Sequence, residues 1–498
     1  MPQRIVRALI VLALALAVAL PATAAEMQRS LATKLETAAP DELINVYVML
    51  DAQVDGTSTL AEVGPMRLVQ RRAHVLSKLK TLAAETQAPL LAELDALRAE
   101  GAVGEVKSLW IANVLIAELN PATIQRLAGD SAVRSLHLVH PYEPGEATDD
   151  LPPTSIPPAV PAGAPEPNID LIQAPLVWDK GYMGQGKIVA NIDTGTDETH
   201  PDLENHIWFN VDEPINGIDD DNNGFVDDWI GWDFESNDND PTPGSGHGTS
   251  TAGIVAGDGT NGRETGVAPK ASIMILKACG ESIAMQAVQY AIDNGADAIT
   301  SSCSYKFPFE PEYAVWREIS ENTMLAGVPH ANSIGNQGTQ QGSHPIPYNI
   351  SAPGNTPTAW LDPAQQIIGG LGALVATGGV NVNLSTYTPS GHGPSAWEDI
   401  QINYPGQNPI PPEYWDYPWA NGTMQGLLKP EIVMPTNVWS TSNGGGYTVF
   451  GGTSAATPHT GGSLALLLSA SPNSTPADLS LAYFWLAPMP SDQQRVIP

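Results

Sequence analysis

Positive charge is scarce in this chain. Lys and Arg number 22 against 54 Asp and Glu, a formal net charge of −32 at pH 7. That balance excludes a general nucleic-acid binder, because phosphate backbones are held by clustered Lys and Arg. Cysteine is scarcer still: Cys279 and Cys303 are the only two, too few for a disulfide scaffold. Apolar runs long enough to cross a bilayer are missing, so no membrane partner is expected. What is present is a globular balance, 42% hydrophobic and 15% charged residues, which excludes wholesale disorder. At about 150 residues per domain, 498 residues predict two or three folded units.

The chain opens with Arg4 and Arg7, an unbroken apolar run from Ala8 to Leu20, and then Ala22-Thr23-Ala24. A basic start, a short apolar stretch and a small-residue cleavage site read as a signal peptide over residues 1–24. The mature protein is therefore expected to be secreted, extracellular or periplasmic, with no membrane attachment after cleavage. Residues 26–142 read as a small α+β unit. Ile44, Val46, Val48 and Leu50 alternate as in a strand, and residues 67–100 are helical in composition with Pro89 as a break. Residues 109–119 and 133–138 predict further strands around a short helix at 121–127. Residues 143–167 form a linker, with eight prolines among the 24 residues from Pro144 to Pro167. From 168 to 498 short apolar strands alternate with helical stretches, which predicts an α/β unit with a parallel sheet and helices on both faces.

Three local patterns sit where such a sheet places its chemistry, at strand ends and the helix starts that follow. Lys187 to Ile192 is a strand that runs into Asp193-Thr194-Gly195. Gly246-His247-Gly248-Thr249 opens a helix on a histidine. Gly451-Gly452-Thr453-Ser454-Ala455-Ala456-Thr457-Pro458 sets a serine where a glycine turn meets a helix of small residues. Each alone is weak, since a serine at a helix start is ordinarily just a cap. Their joint occurrence in one unit is not.

Together these motifs resemble those of the subtilases, the subtilisin-like serine proteases, over residues 168–476. Asp193 is followed by His200-Pro201-Asp202-Leu203, His247 by Gly266-Val267-Ala268-Pro269, and Ser454 is preceded by Lys429-Pro430-Glu431-Ile432-Val433. The resemblance implies a subtilisin-like parallel sheet preceded by a propeptide-like α+β domain, and a serine endopeptidase made as a zymogen. Ser454 would be the nucleophile, His247 the general base and then acid, and Asp193 the carboxylate that orients it. Asn336, in Ser333-Ile334-Gly335-Asn336-Gln337-Gly338, would be the side-chain oxyanion donor. Ser302, Cys303 and Ser304 occupy the place of the family's edge strand for an extended peptide substrate, with Cys303 and Ser304 departing from its usual Leu-Gly. The implied partners are a protein or peptide substrate and the chain's own propeptide. A catalytically silent, calcium-binding relative is the alternative, and the intact Asp193, His247, Ser454 and Asn336 speak against it.

Between Asp193 and Asp240 lie 16 acidic residues and no Lys or Arg. Within this run, Asp219-Asp220-Asp221-Asn222-Asn223-Gly224 resembles the start of a calcium loop, with Ile230 where a closing Glu would stand. Structural calcium is the expected cofactor, with Asp219, Asp221, Asn223 and Asp227 as ligands, and Asp202 with Asn261 resembling a second family site. Export would let Cys279 and Cys303 pair, but the family's sheet places the aspartate strand between theirs, which argues against a disulfide. The family's closing strand and last helix are not recognisable in residues 484–498.

Overall fold

The computed structural model describes residues 25–141, 148, 152–161, 164–359, 372–396 and 427–480. The signal-peptide segment, part of the linker and the closing tail lie outside the described residues. The N-terminal unit is a five-stranded sheet in the order β1-β5-β2-β4-β3. Its strands are β1 (Glu26–Met27), β2 (Ile44–Leu50), β3 (Val103–Leu109), β4 (Val114–Leu119) and β5 (Val133–Leu138). Its helices are α1 (Arg29–Thr37), α2 (Gly56–Val63), α3 (Leu68–Arg98) and α4 (Pro121–Leu127). Pro89 does not break α3, as its lack of an N–H had suggested. The buried stripe Val75, Leu79, Ala83, Leu90 and Leu94 runs through it, and burial of five apolar side chains outweighs one missing hydrogen bond. The stretch 109–119 is not one strand: a turn at Trp110–Asn113 separates β3 from β4, with Asn113 at φ 49°.

The larger unit is the predicted parallel α/β sheet. Short helices α5 (Pro167–Leu171) and α6 (Ala174–Trp178) precede seven strands in the order β12-β11-β10-β9-β6-β8-β7. These are β6 (Ile188–Asp193), β7 (Gly231–Asp233), β8 (Ser272–Lys277), β9 (Ala298–Ser301), β10 (His330–Ser333), β11 (Leu374–Asn381) and β12 (Ile432–Thr436), and every pairing is parallel. Helices α7 (His247–Ala256), α8 (Glu281–Asp293), α9 (Tyr313–Ala326) and α10 (Gly452–Ala470) cover it, and the hairpin β13 (Val438–Ser442) and β14 (Gly446–Phe450) leads into α10. Side chains that alternate along a strand feed both faces. Ala190, Ile192, Met274 and Leu276 join the core under α8 and α9, whereas Val189, Ile273 and Ile275 join the core under α7 and α10.

The N-terminal unit docks on α8 and α9, opposite the face that carries α7 and α10. Tyr47, Met49, Ile111 and Ile116 share one apolar core with Ala284, Met285 and Val288. Arg71 donates to the carbonyls of Leu325 and Met324 at 2.7 and 2.9 Å, at the negative C-terminal end of α9, where a cation is favoured. Asn322 donates to the Ile111 carbonyl at 2.7 Å, and Lys80 pairs with Asp293 at 2.6 Å. His137 pairs with Glu312, and the Ile111 amide donates to Gln289 at 3.2 Å.

One expectation fails here, because Cys279 and Cys303 form a disulfide with Cα atoms 5.5 Å apart. The aspartate strand β6 does lie between β8 and β9, and strands two apart in a sheet are about 10 Å distant, too far to bridge. Both cysteines, however, stand two residues past the ends of their strands, at Lys277 and Ser301. Strand β6 turns out of the sheet at Gly195 (φ 89°), passing so close to the carbonyls of Pro241 and Thr242 that a Cβ would lie 2.6 Å from each. With β6 gone, the flanking chains converge over its end.

Candidate active site

Asp193, at the carboxyl end of β6, is fully buried. One carboxylate oxygen accepts the Thr194 amide at 2.8 Å and faces His247 Nδ1 at 2.6 Å, and the other accepts the Thr251 hydroxyl at 3.3 Å. His247 is the first residue of α7, and Gly248 follows because no side chain fits: a Cβ there would lie 2.0 Å from the Gly195 carbonyl oxygen. The Phe450 ring lies edge-on to the imidazole, 5.0 Å between centroids. With its Nδ1–H given to Asp193, the imidazole presents the Nε2 lone pair as its base.

Ser454 lies in the first turn of α10, which packs against α7. The turn into this helix needs Gly452, at φ 78°. Pro458, four residues on, has no N–H to give the Ser454 carbonyl, and the Ser302 hydroxyl donates to that oxygen instead at 3.0 Å. Asn336 follows β10 and accepts from the Thr453 amide at 2.9 Å and the Thr453 hydroxyl at 3.2 Å through its Oδ1. That fixes the amide plane and leaves Nδ2 as a donor beside the start of α10. Thr436 donates its hydroxyl to the Gly452 carbonyl at 2.7 Å, tying β12 to the same turn.

The structure thus brings Asp193 and His247 into contact and sets Ser454 and Asn336 on either side of Thr453. Ser302, Cys303 and Ser304 lie just past β9, all buried, and β9 itself is an inner strand between β6 and β10, not an edge. Thr251 and Phe450 contact Asp193 and His247, and no motif signal marked them, since each acts only through a neighbour in space; Thr453, inside the serine motif, holds Asn336.

The acidic loop has a more differentiated geometry than its sequence suggested. Asp219 accepts the amides of Asn223 and Gly224 at 3.0 and 2.9 Å. Asp221 faces two buried acids outside the loop's first five positions: carboxylate oxygens of Glu213, Asp221 and Asp228 all lie within 4.8 Å of one another. Burial raises the Asp228 pKa, against hydrogen bonds from Tyr290, Asn223 and Asn210 that lower it. Asp227 turns away to accept the amides of Asn216 and Gly217 at 2.7 and 2.9 Å, closing the loop on itself. Oxygen donors of this kind suit a hard cation such as calcium. The Asp202 cluster fits one poorly: its carboxylate takes the Asn261 amide and the Tyr447 hydroxyl, both at 2.6 Å, and the Arg263 guanidinium lies 5.9 Å from the Tyr447 ring centre.

The chain is similar in sequence to several known proteins. The chain is 33% identical over 193 residues to the major intracellular serine protease of Bacillus subtilis, covering 36% of this chain and 54% of the relative. It is 25% identical over 386 residues to bacillopeptidase F of the same organism, spanning 72% of this chain but a quarter of that protein. Subtilisin E of B. subtilis is 24% identical over 382 residues, 75% of each chain. Among solved structures, a cold-adapted subtilisin-like serine proteinase matches 60% of this chain and 81% of its own, at 19% identity and a TM-score of 0.40. A family model described as the subtilase family matches residues 184–492, more than half of the sequence and a range that contains Asp193, His247, Asn336 and Ser454. The chain belongs to the subtilase family of serine proteases.

Proposed function

We propose that this protein is an exported serine endopeptidase, made as a zymogen and held inactive by its N-terminal domain. The observation that carries the reading is the buried Asp193–His247 contact of 2.6 Å, together with the helix α10 that packs against α7 and carries Ser454 in its first turn. The Ser454 hydroxyl attacks the scissile carbonyl as His247 Nε2 takes its proton. Asp193, fully buried, stabilises the imidazolium and holds its tautomer. The oxyanion is received by the Ser454 amide, at the positive end of α10, and by Asn336 Nδ2. His247 then protonates the leaving amine, and water repeats the sequence on the acyl-enzyme. Reaction of the mature protein with a fluorophosphonate probe is expected to label Ser454. Labelling elsewhere, or none, would leave the silent-relative reading standing.

Calcium is proposed at the acidic loop, held by Asp219, Asp221 and Asn223 together with the buried Glu213 and Asp228, while Asp227 closes the loop. When bound, the ion neutralises carboxylates that otherwise repel one another. A ligand that binds only the folded form stabilises it by about 2.7 kcal/mol at a hundredfold excess over Kd. EDTA is expected to lower the melting temperature of the inactive Ser454→Ala protein, and Asp219→Asn with Asp221→Asn to do so in full calcium. An unchanged melting temperature under chelation would dismiss the ion.

The docked domain is proposed to release more readily as pH rises. Glu281, at the start of α8, is buried beside Tyr47 and Glu312, and burial pushes its carboxyl up to about 8. Burial likewise raises Glu318 and Glu321, on α9 under the same domain. For an acid raised on docking, the stabilisation is complete below the free pKa of 4.5 and is lost progressively as pH climbs towards 8. The Ser454→Ala chain, cut in the linker, is expected to retain its N-terminal domain at pH 5 and shed it more at pH 8. Glu281→Gln should flatten that dependence.

A further inference from the structure

The disulfide sits at the most sensitive point of the sheet. Carboxylate and sulfur atoms of Asp193, Cys279 and Cys303 lie within 4.8 Å of one another, and all three residues are fully buried. The Ala278 amide, one residue before Cys279, donates to the Asp193 carbonyl at 2.8 Å. On the other side, the Cys303 carbonyl accepts the Asn332 side chain at 3.2 Å and the Ser301 hydroxyl at 3.3 Å, and the preceding residue, Ser302, holds the Ser454 carbonyl. One covalent link therefore joins the flank of the catalytic acid to the segment that supports the nucleophile.

We propose that the Cys279–Cys303 disulfide is a positioning device of the active site, closing the gap over the end of β6 so that Asp193 stays dry and residues 302–304 stay fixed behind Ser454. This rests on the hydrolase reading above. Two physical effects follow. An ion pair between His247 and Asp193 is strong where the effective dielectric is low and weakens as water enters, so opening the gap lowers the basicity of His247. Release of residues 302–304 lets Ser454 and the substrate strand drift, and misplacement of about 1 Å costs up to about a hundredfold in rate. Among the described residues, the ionisable groups near Asp193 include His247 on α7, the Lys277–Asp233 pair at the ends of β8 and β7, 2.7 Å apart, and Glu235 just past β7. None of them is removed by substituting the cysteines.

The test uses the mature enzyme and two bridge-free variants, Cys279→Ala/Cys303→Ala and Cys279→Val/Cys303→Ala, the second restoring part of the lost volume. Fluorophosphonate labelling of wild-type Ser454 is the first reading; its failure would refute the hydrolase assignment and say nothing against the bridge as such. With labelling established, both variants are expected to keep the fold and to lose roughly ten- to a hundredfold in kcat/KM. The acid limb of their kcat/KM–pH profile should move to lower pH, because a less basic His247 stays neutral further into acid. A pure stability role would lower the melting temperature and leave that limb where it was. Variants that fold with the wild-type limb and rate overturn the proposal. So does failure of both to fold, which would make the bridge a staple of the whole unit.

Discussion

Ser454→Ala is expected to abolish peptide hydrolysis, with a loss in kcat on the order of a millionfold. The hydroxyl oxygen is the only heavy atom removed, and the Ser454 carbonyl that Ser302 holds is untouched, so the melting temperature should remain close to that of the wild type. His247→Ala is expected to cost nearly as much, and the double variant little more than either alone, because nucleophile and base act as one unit. The Ser454→Ala chain should also accumulate uncut, its N-terminal domain still docked on α8 and α9, since self-cleavage needs the same serine. Hydrolysis of a peptide substrate by the purified variant, at anything near the wild-type rate, would refute the triad.

Asn336→Leu is expected to lower kcat by roughly 100- to 1000-fold, with a smaller change in KM, the range for loss of one oxyanion donor. The separation of the two parameters is diagnostic. Charge on the oxygen develops only in the transition state, so a donor aimed there contributes little to ground-state binding. Asn336 also accepts from Thr453 at 2.9 Å, so part of the loss could come from a loosened turn. Thr453→Val separates the two contributions: it removes the 3.2 Å hydroxyl contact but keeps the backbone one, and should cost far less than Asn336→Leu. Equal losses in the two variants would assign Asn336 to the turn alone.

Much of the site was legible because its chemistry is local in sequence. A strand that ends in Asp193, a helix that opens on His247 between glycines, and a glycine turn into Ser454 each carry the backbone requirement within a few residues. The structure supplies the reasons: Gly248 has a carbonyl 2.0 Å from where its Cβ would be, and Gly452 takes a positive φ. The helix around Pro89 was misjudged because a local rule about one hydrogen bond competes with burial of a stripe over the whole length of α3. The acidic loop was legible as a candidate cation site, but not its buried members. Glu213 precedes the motif, and Asp227, a regular-looking position within it, turns its carboxylate to two backbone amides.

What the sequence alone determined is the family, the order of the motifs around Asp193, His247 and Ser454, and the alternation of strands and helices, all written in short segments whose backbone needs are met by neighbours along the chain. What only the tertiary structure decided is how distant segments meet. The disulfide is the sharpest case. Reasoning from strand order placed Cys279 and Cys303 on opposite sides of β6 and too far apart, and the strand order is indeed as expected. The pairing depends instead on where β6 leaves the sheet, because a strand separates its neighbours only for as long as it runs between them. The docking of the N-terminal domain is of the same kind: Arg71 meets the end of α9 across more than 250 residues of chain, and only folding brings that cation to those carbonyls.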